Sequence, residues 1–462
     1  MMPLFKRLLS SFLLFALAVP AWGQQDTLHI TVANGIASAT PIVVVPFHNE
    51  TVGPPPTTDV SRIVRMDLAR SGRFRVLDQA DIVEYPSRGN EIKFATWKLL
   101  NQDYIVVGHV KDAGQGAYQI GYELWNVNTG KQLFAGTYLA DANQMRDAAH
   151  QIADRIYQQI IGVPGAFYTR IAYITVVGVG KHTRYSLVVA DSDGYNPQVV
   201  VRSHEALLSP AWAPNGKELA YVSFETGDSA IYIQNLATGA RRQVSARKGI
   251  NGAPAFSPDG TRLAMSLSYV GNPEIFIMDL ATGKLTRLTH NYSIDTEPAW
   301  MPDGKHLVFT SDRSGKPQLY EIPANGGDPT RITFQGSYNA DASIGPKGNK
   351  IAMVQGNGNV YRIAVMDRSL NDQEHFVSPG DYDDSPSFAP NGSMLLYAAT
   401  DGLRNVLYAV SEDGKVRQRL VLPDGDVRGP AWGPLRKPWP CRQTAPSACS
   451  KTPVATTTTG NP

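Results

Sequence analysis

The sequence predicts an N-terminal α/β domain followed by a six-bladed β-propeller, the ring closed by strands from its own two ends. Three observations carry this reading. A motif recurs six times at intervals of 44 residues, each interval holds four short strand patterns, and incomplete copies at either end add up to one whole copy. Composition agrees: 42% hydrophobic and 18% charged residues over 462 positions describe neither a disordered tract nor a coiled coil, and the length suits two or three domains. The 43 Lys and Arg stand against 41 Asp and Glu, a balance that argues against electrostatic capture of nucleic acid or an anionic membrane. Two cysteines are too few for a zinc ribbon or an iron–sulfur cage.

Residues 1–23 read as a secretory signal. Lys6 and Arg7 precede an apolar core, Phe12–Val19, then Pro20 and the small residues Ala21 and Gly23, so cleavage is expected after Gly23. The apolar stretch falls short of the roughly 20 residues that span a bilayer. The mature chain is therefore expected in an extracytoplasmic compartment, without direct membrane insertion. Residues 24–40 form an arm. Within Asp26, Thr27, Leu28, His29, Ile30, Thr31 and Val32 the apolar residues alternate with polar ones, the pattern of a strand able to pair with its own domain or with another chain's sheet edge.

The arm opens the α/β domain, residues 24–162. Pro41–Phe47 is a continuous apolar run, as in a strand buried on both faces. A helix is expected from Thr58 or Asp59, with Val60, Ile63, Val64 and Leu68 on one face and Gly72 as its stop. Strands at Phe74–Leu77 and Tyr104–Val110 flank a short helix near Lys93–Leu100. A hairpin, Tyr118–Val127 and Gln132–Leu139, turns at Asn128-Thr129-Gly130. Asp141 and Gln144 then form a capping box for a last helix, whose stripe of Met145, Ala149, Ile152, Ile156 and Ile160 runs to Gly162 and Pro164.

The propeller is assigned to residues 168–435. Its copies align on Pro214, Pro258, Pro302, Pro346, Pro390 and Pro434. Two residues earlier stand Trp212, Phe256, Trp300, Ile344, Phe388 and Trp432, read as wedges between blades; burying such a ring yields a gross gain of about 4–6 kcal/mol. In the copy around Pro302, Pro302-Asp303-Gly304 is a turn, followed by strands His306–Thr310, Gln318–Ile322 and Thr330–Thr333. Ile171–Val177 lacks an anchor before it and Gly429–Pro434 lacks strands after it, so the two ends should complete one blade. From Arg170 to Pro434 is 264 residues, six intervals of 44. The remaining 436–462 form a tail, rich in Pro, Thr, Ala and Ser, that is expected to be disordered. Cys441 and Cys449 are there either a local disulfide or two free thiols.

Catalytic patterns are lacking in the sequence: there is no Gly-x-Ser-x-Gly elbow, Walker A, His-Glu-x-x-His or Cys-x-x-Cys. The nine histidines show no pair at metal spacing and read as surface or packed imidazoles. No catalytic residue, metal ligand or cofactor is assigned. One asymmetric cluster stands out just upstream of the anchors, where the chain enters the innermost strand. Asp295, Glu297, Asp341, Asp383 and Asp384 fall in the third to fifth copies, with Arg428 beside them. Positions that vary while their neighbours stay fixed are where repeat proteins place recognition. They read as an acidic socket for a basic protein surface, as a Ca²⁺ site, or as a solvated rim. An enzyme (propeller hydrolase or lyase) and a small-ligand-binding propeller are the alternatives to a protein-binding scaffold.

These residues resemble the TolB family, the periplasmic component of the Tol–Pal system of Gram-negative envelopes. The matching stretches include Thr169-Arg170-Ile171-Ala172-Tyr173, Ser209-Pro210-Ala211-Trp212, Asn251 to Gly260, Thr296-Glu297-Pro298, Pro41–Phe47 and Gly162–Phe167, over roughly residues 26–434. The resemblance implies a non-enzymatic periplasmic scaffold that maintains outer-membrane integrity and constriction in cell division. It implies a channel face that binds the peptidoglycan-associated lipoprotein Pal, and an arm, Asp26 to Ala37, that binds TolA. Together with the acidic cluster it assigns Asn251, Ala253, Asp295, Thr296, Glu297, Asp341, Asp384 and Arg428 to Pal, and Asp26 to Val32 to TolA; other outer-membrane proteins are further candidate partners. Ile250 stands where family members can carry a polar or histidine residue, and the arm keeps its alternation more than its identities.

Overall fold

The apolar run after the arm becomes an interior strand of the front domain's sheet, Thr40–Val44, and both of its faces are covered. The sheet order is Phe74–Val76, Thr40–Val44, Tyr104–Gly114, Ala117–Asn126, Lys131–Asp141, parallel over the first three strands and antiparallel after them. Ile42, Val44 and Val106 pack on helices α1 (Val60–Arg70) and α3 (Met145–Ile161), while Val43, Val45, Ile105 and Val107 meet Trp97 of the short α2 (Phe94–Leu99). Asp59 caps α1 by accepting the Arg62 amide at 2.9 Å, and Gly162, left-handed at φ 87°, ends α3. The computed structural model describes residues 30–32, 39–53, 55–420, 422 and 425–439. The expected signal segment, Asp26 to His29, Cys441 and Cys449 lie outside the described residues.

Six four-stranded meanders follow. Blade 2 runs Leu207–Trp212, Glu218–Ser223, Ala230–Asn235 and Arg241–Ser245; blades 3 to 6 begin at Asn251, Asp295, Tyr338 and Asp383. Blade 1 comprises Arg170–Val177, Arg184–Asp191 and Gln198–Ser203, and its innermost strand is the C-terminal Asp426–Trp432, antiparallel to Arg170–Val177 with Trp432 opposite Ile171. The ring is thus closed by both ends of the propeller, as the half copies predict. Four of the six turns after an anchor proline are fixed by the Asn or Asp that follows it: Asp303 Oδ1 accepts the Lys305 amide at 2.8 Å, and Asn215 Oδ1 accepts that of Lys217 at 2.8 Å. The anchors bridge blades. Trp300 Nε1 donates to the Ala255 carbonyl and Trp212 Nε1 to that of Ala431, both at 3.1 Å, while Arg262 stacks over Trp300.

Two features depart from expectation. The arm strand Ile30–Val32 does not pair with its own domain; it adds an antiparallel fifth strand to the outer edge of blade 6, with Ile30 opposite Gln418 and Val32 opposite Val416. The start of the tail is also placed. Arg436 stacks over Tyr168, and the Trp439 amide donates to Gln151 Oε1 at 2.6 Å while its ring meets Tyr168 edge-on. An aromatic and a guanidinium bury enough surface against α3 to hold 436–439, which a compositional reading of the whole tail misses.

The two domains meet through charge as well as apolar packing. Arg70 of α1 donates to the Ser192 carbonyl at 3.0 Å and its hydroxyl at 2.7 Å, and Asp154 of α3 accepts the Phe167 and Tyr168 amides at 2.8 and 3.1 Å.

Candidate functional site

The innermost strands share one irregularity. In every blade the register slips between the residues six and three positions before the anchor proline, as at Thr296/Ala299 and Asp384/Ser387. The bulged residue is left-handed each time: Ser209, Ala253, Glu297, Asp341, Ser385 and Gly429 have φ between 46° and 54°. Only one of the six is glycine, and each other L-residue there stores about 1 kcal/mol or more. These six residues line a channel cavity of about 650 Å³ together with Leu208, Asp384 and Arg428.

The acidic residues divide into two sets. Glu297 and Asp341 sit at consecutive bulges, and Glu297 Oε2 accepts the Thr310 hydroxyl at 2.8 Å and the Asp341 amide at 2.9 Å. Burial, then the carboxylates of Glu297 and Asp384, push Asp341 well above the usual carboxylate range. Burial also raises Asp384, against the pull of the Ser385 hydroxyl and Arg428. Tyr338 is carried up to about 12 by burial and the same two carboxylates, Glu297 and Asp341. The site is therefore a cavity with excess negative charge, able to take a cationic group that would let these acids ionise. Ala253 and the exposed Arg428 share the mouth, whereas Thr296 is not among the lining residues and its Oγ1 accepts from Ser266 at 3.3 Å.

Asn251 and Asp295 belong to the other set. Both are fully buried. Asn251 accepts the Ser245 hydroxyl at 2.6 Å and the Arg247 amide at 3.0 Å, and donates to Ser229 and Arg247 carbonyls. Asp295 takes a two-pronged bond from Arg313 at 2.9 and 2.7 Å, and burial still raises its pKa. Asn339 and Asp383 occupy the same place in their blades, and Leu207 and Val427 fill it with apolar groups in the others. The four polar side chains clamp the loop that leads into the strand and, unlike Leu207, are not among the residues lining the cavity. A position holding only Asn, Asp or an aliphatic residue carried that signal in the sequence. Exposed apolar residues, Ile250, Ile294 and Tyr382, precede the innermost strands of blades 3, 4 and 6.

Among the described residues the one group of three side chains close enough to share a metal ion, His150 with Asp191 and Asp193, lies away from the channel at the domain junction.

Two family profiles match the chain, the TolB beta propeller domain over residues 157–436 and the TolB amino-terminal domain over 28–133. The Tol-Pal system protein TolB of Xanthomonas campestris pv. campestris (strain B100) is 58% identical over 431 residues, 93% of this chain and 98% of that one. The chain belongs to the TolB family. Membership makes it a non-enzymatic component of the Tol–Pal system, which removes the hydrolase and lyase alternatives. The TolB of Xanthomonas axonopodis pv. citri (strain 306) is also 58% identical, over 93% of this chain and 98% of its own. In three dimensions the chain is similar to the crystal structure of TolB from Acinetobacter baumannii, with a TM-score of 0.80, 39% identity, and coverage of 88% of this chain and 100% of that one. Among the described residues no helix is long and apolar enough to cross a membrane.

Proposed function

We propose that this TolB-family chain is a periplasmic scaffold that binds Pal at the channel mouth and TolA through its N-terminal arm, and so maintains outer-membrane integrity and constriction during division. The observation that carries the reading is the convergence of Glu297, Asp341 and Asp384 on the 650 Å³ channel cavity, beside exposed Ile250, Ile294 and Tyr382. Acidic centres with apolar borders suit a protein surface that presents a basic group within an apolar patch. The arm supports the second half. A three-residue strand on an outer sheet edge, held there by backbone pairing, exchanges readily for pairing with a partner's edge. The two events are coupled only to the extent that docked and released arms differ in affinity for Pal.

Asp384 lines the channel cavity outside the hydrophobic clusters and tests the mouth without disturbing the core. Asp384→Lys is expected to weaken Pal by about 2 kcal/mol or more in calorimetry, and Glu297→Lys at least as much. Unchanged affinity in Asp384→Lys, with the circular dichroism of the parent chain, removes the acidic cluster from the Pal site. Deleting residues 24–34 is expected to abolish capture of TolA and to leave Pal binding intact. TolA captured equally by that variant discards the arm assignment.

A further inference from the structure

His150 of α3 is 1% exposed and faces Asp67 of α1 and, across the domain junction, Asp191 and Asp193. Its Nδ1 lies 2.6 Å from Asp67 Oδ2, and Asp67 is itself fixed by Arg70 Nε at 3.0 Å. That pairing sets the tautomer: Nδ1 carries the proton toward Asp67, and the Nε2 lone pair points across the junction into blade 1. Nε2 has no hydrogen-bond partner and stands 3.9 Å from Asp193 Oδ2, too far for a hydrogen bond. Asp191, at the end of the strand Arg184–Asp191, is 8% exposed, and its carboxylate accepts no hydrogen bond among the described residues. The buried imidazole nitrogen is left without a partner, and the nearby Asp191 carboxylate, which opens on a cavity, is free to share one with it. One ligand atom each from His150, Asp191 and Asp193 lies within 4.8 Å of the other two.

We propose that His150, Asp191 and Asp193 bind one divalent transition-metal ion of the zinc class, which fastens the front domain to blade 1. Bonds of about 2.0–2.2 Å to imidazole nitrogen and carboxylate oxygen let a single ion span the 3.9 Å gap with little movement of either side chain. The donors, one nitrogen with two oxygens, suit zinc better than calcium, which takes oxygen alone. Asp67 supplies the outer carboxylate that orients a metal-binding histidine. Charge favours a cation: Asp67, Asp191 and Asp193 outnumber Arg70 and Arg146, the guanidiniums paired with Asp67 and Asp193, by one. Asp191 also lines a cavity of about 510 Å³ shared with Asp147, Arg170 and Arg436, which gives the ion a path from solvent and room for a water as fourth ligand. The rival occupant is a second proton on His150.

The full chain, stripped with a chelator, is titrated with Zn²⁺ near neutral pH by calorimetry and then with Co²⁺ by absorption. One ion per chain is expected, with the visible spectrum of a nitrogen–oxygen site. His150→Gln and Asp191→Asn should each weaken binding roughly 10–100-fold. A Cys441→Ser/Cys449→Ser chain should bind as the parent does. Zinc should raise the melting temperature of the parent and leave that of Asp191→Asn unmoved. No stoichiometric uptake by the parent chain overturns the proposal and leaves a proton on His150. Uptake that survives both single substitutions, or a Co²⁺ spectrum with thiolate charge transfer, also overturns it. If His150→Gln does not fold, Asp191→Asn and the parent Co²⁺ spectrum decide the matter.

Discussion

Removing the indole of Trp432 should open the ring at one seam. The residue is 7% exposed, its Nε1 donates to Thr169 Oγ1 at 2.8 Å, and its amide reaches Ser387 Oγ at 2.8 Å. A buried ring of this size removes about 150–250 Å² from water, a gross gain of about 4–6 kcal/mol. Part of that area is already shielded in the unfolded chain, and Trp→Ala changes in cores cost about 3–5 kcal/mol, which is the expected loss for Trp432→Ala. Thr169 keeps its own bond to the Ala166 carbonyl at 2.6 Å, so no buried donor is orphaned to enlarge the figure. Trp300→Ala is the comparison, because Trp300 is equally exposed at 7% and its Nε1 also makes one hydrogen bond, to the Ala255 carbonyl. It should cost a similar amount overall, yet its blade is continuous in sequence. Only in Trp432→Ala should Asp426–Trp432 separate from Arg170–Val177, with amide exchange in both strands faster by roughly 10²–10⁴-fold. Unaltered protection of that pair in Trp432→Ala, or equal opening in Trp300→Ala, would refute closure by the terminal strand.

The bulge ring makes opposite predictions at two equivalent sites. Ala253→Gly relieves a left-handed alanine and should stabilise by up to about 1 kcal/mol, whereas Gly429→Ala should cost about 1 kcal/mol; the methyl group at 429 would meet Pro210 at 3.5 Å, so strain and not collision sets the sign, read from denaturation midpoints. Asp341 binds its proton more tightly folded than unfolded, where its value is near 3.8; its effect is absent below that pH, and stability falls as pH rises toward the raised folded value, a slope that Asp341→Asn should flatten in urea melts. For the same reason a cationic partner at the mouth should release protons, seen as a buffer-dependent binding enthalpy. Asp154→Ala strands the Phe167 and Tyr168 amides and should cost about 1–3 kcal/mol, with faster exchange at those two amides.

Much of the architecture was legible because it rests on local chemistry repeated in register. Pro and Gly at fixed offsets dictate turns, and alternation dictates strand faces, so the 44-residue period and the unfinished ends suffice to count blades. The mouth was less legible. The left-handed bulge is filled by Ser, Ala, Glu, Asp, Ser and Gly, a set with no shared propensity, since the surrounding sheet imposes the conformation. Asn251 and Asp295 vary as recognition residues do, yet burial makes them loop clamps; variation alone does not distinguish a carboxylate facing solvent from one held by an arginine. His150, Asp67 and Arg70 look in sequence like ordinary polar positions of helices, and only the approach of blade 1 buries them.

The seam also dictates when the protein becomes whole. Ile171 and its partner Trp432 are 261 residues apart, so the final pairing spans more than half of the polypeptide. Whatever order the blades fold in, five sheets can assemble while the first still offers a bare inner edge. That edge is a template for stray strands until the last seven-residue segment, Asp426–Trp432, arrives. A chain cut short a few dozen residues before its end would leave an almost finished but adhesive intermediate, which chaperones must shield.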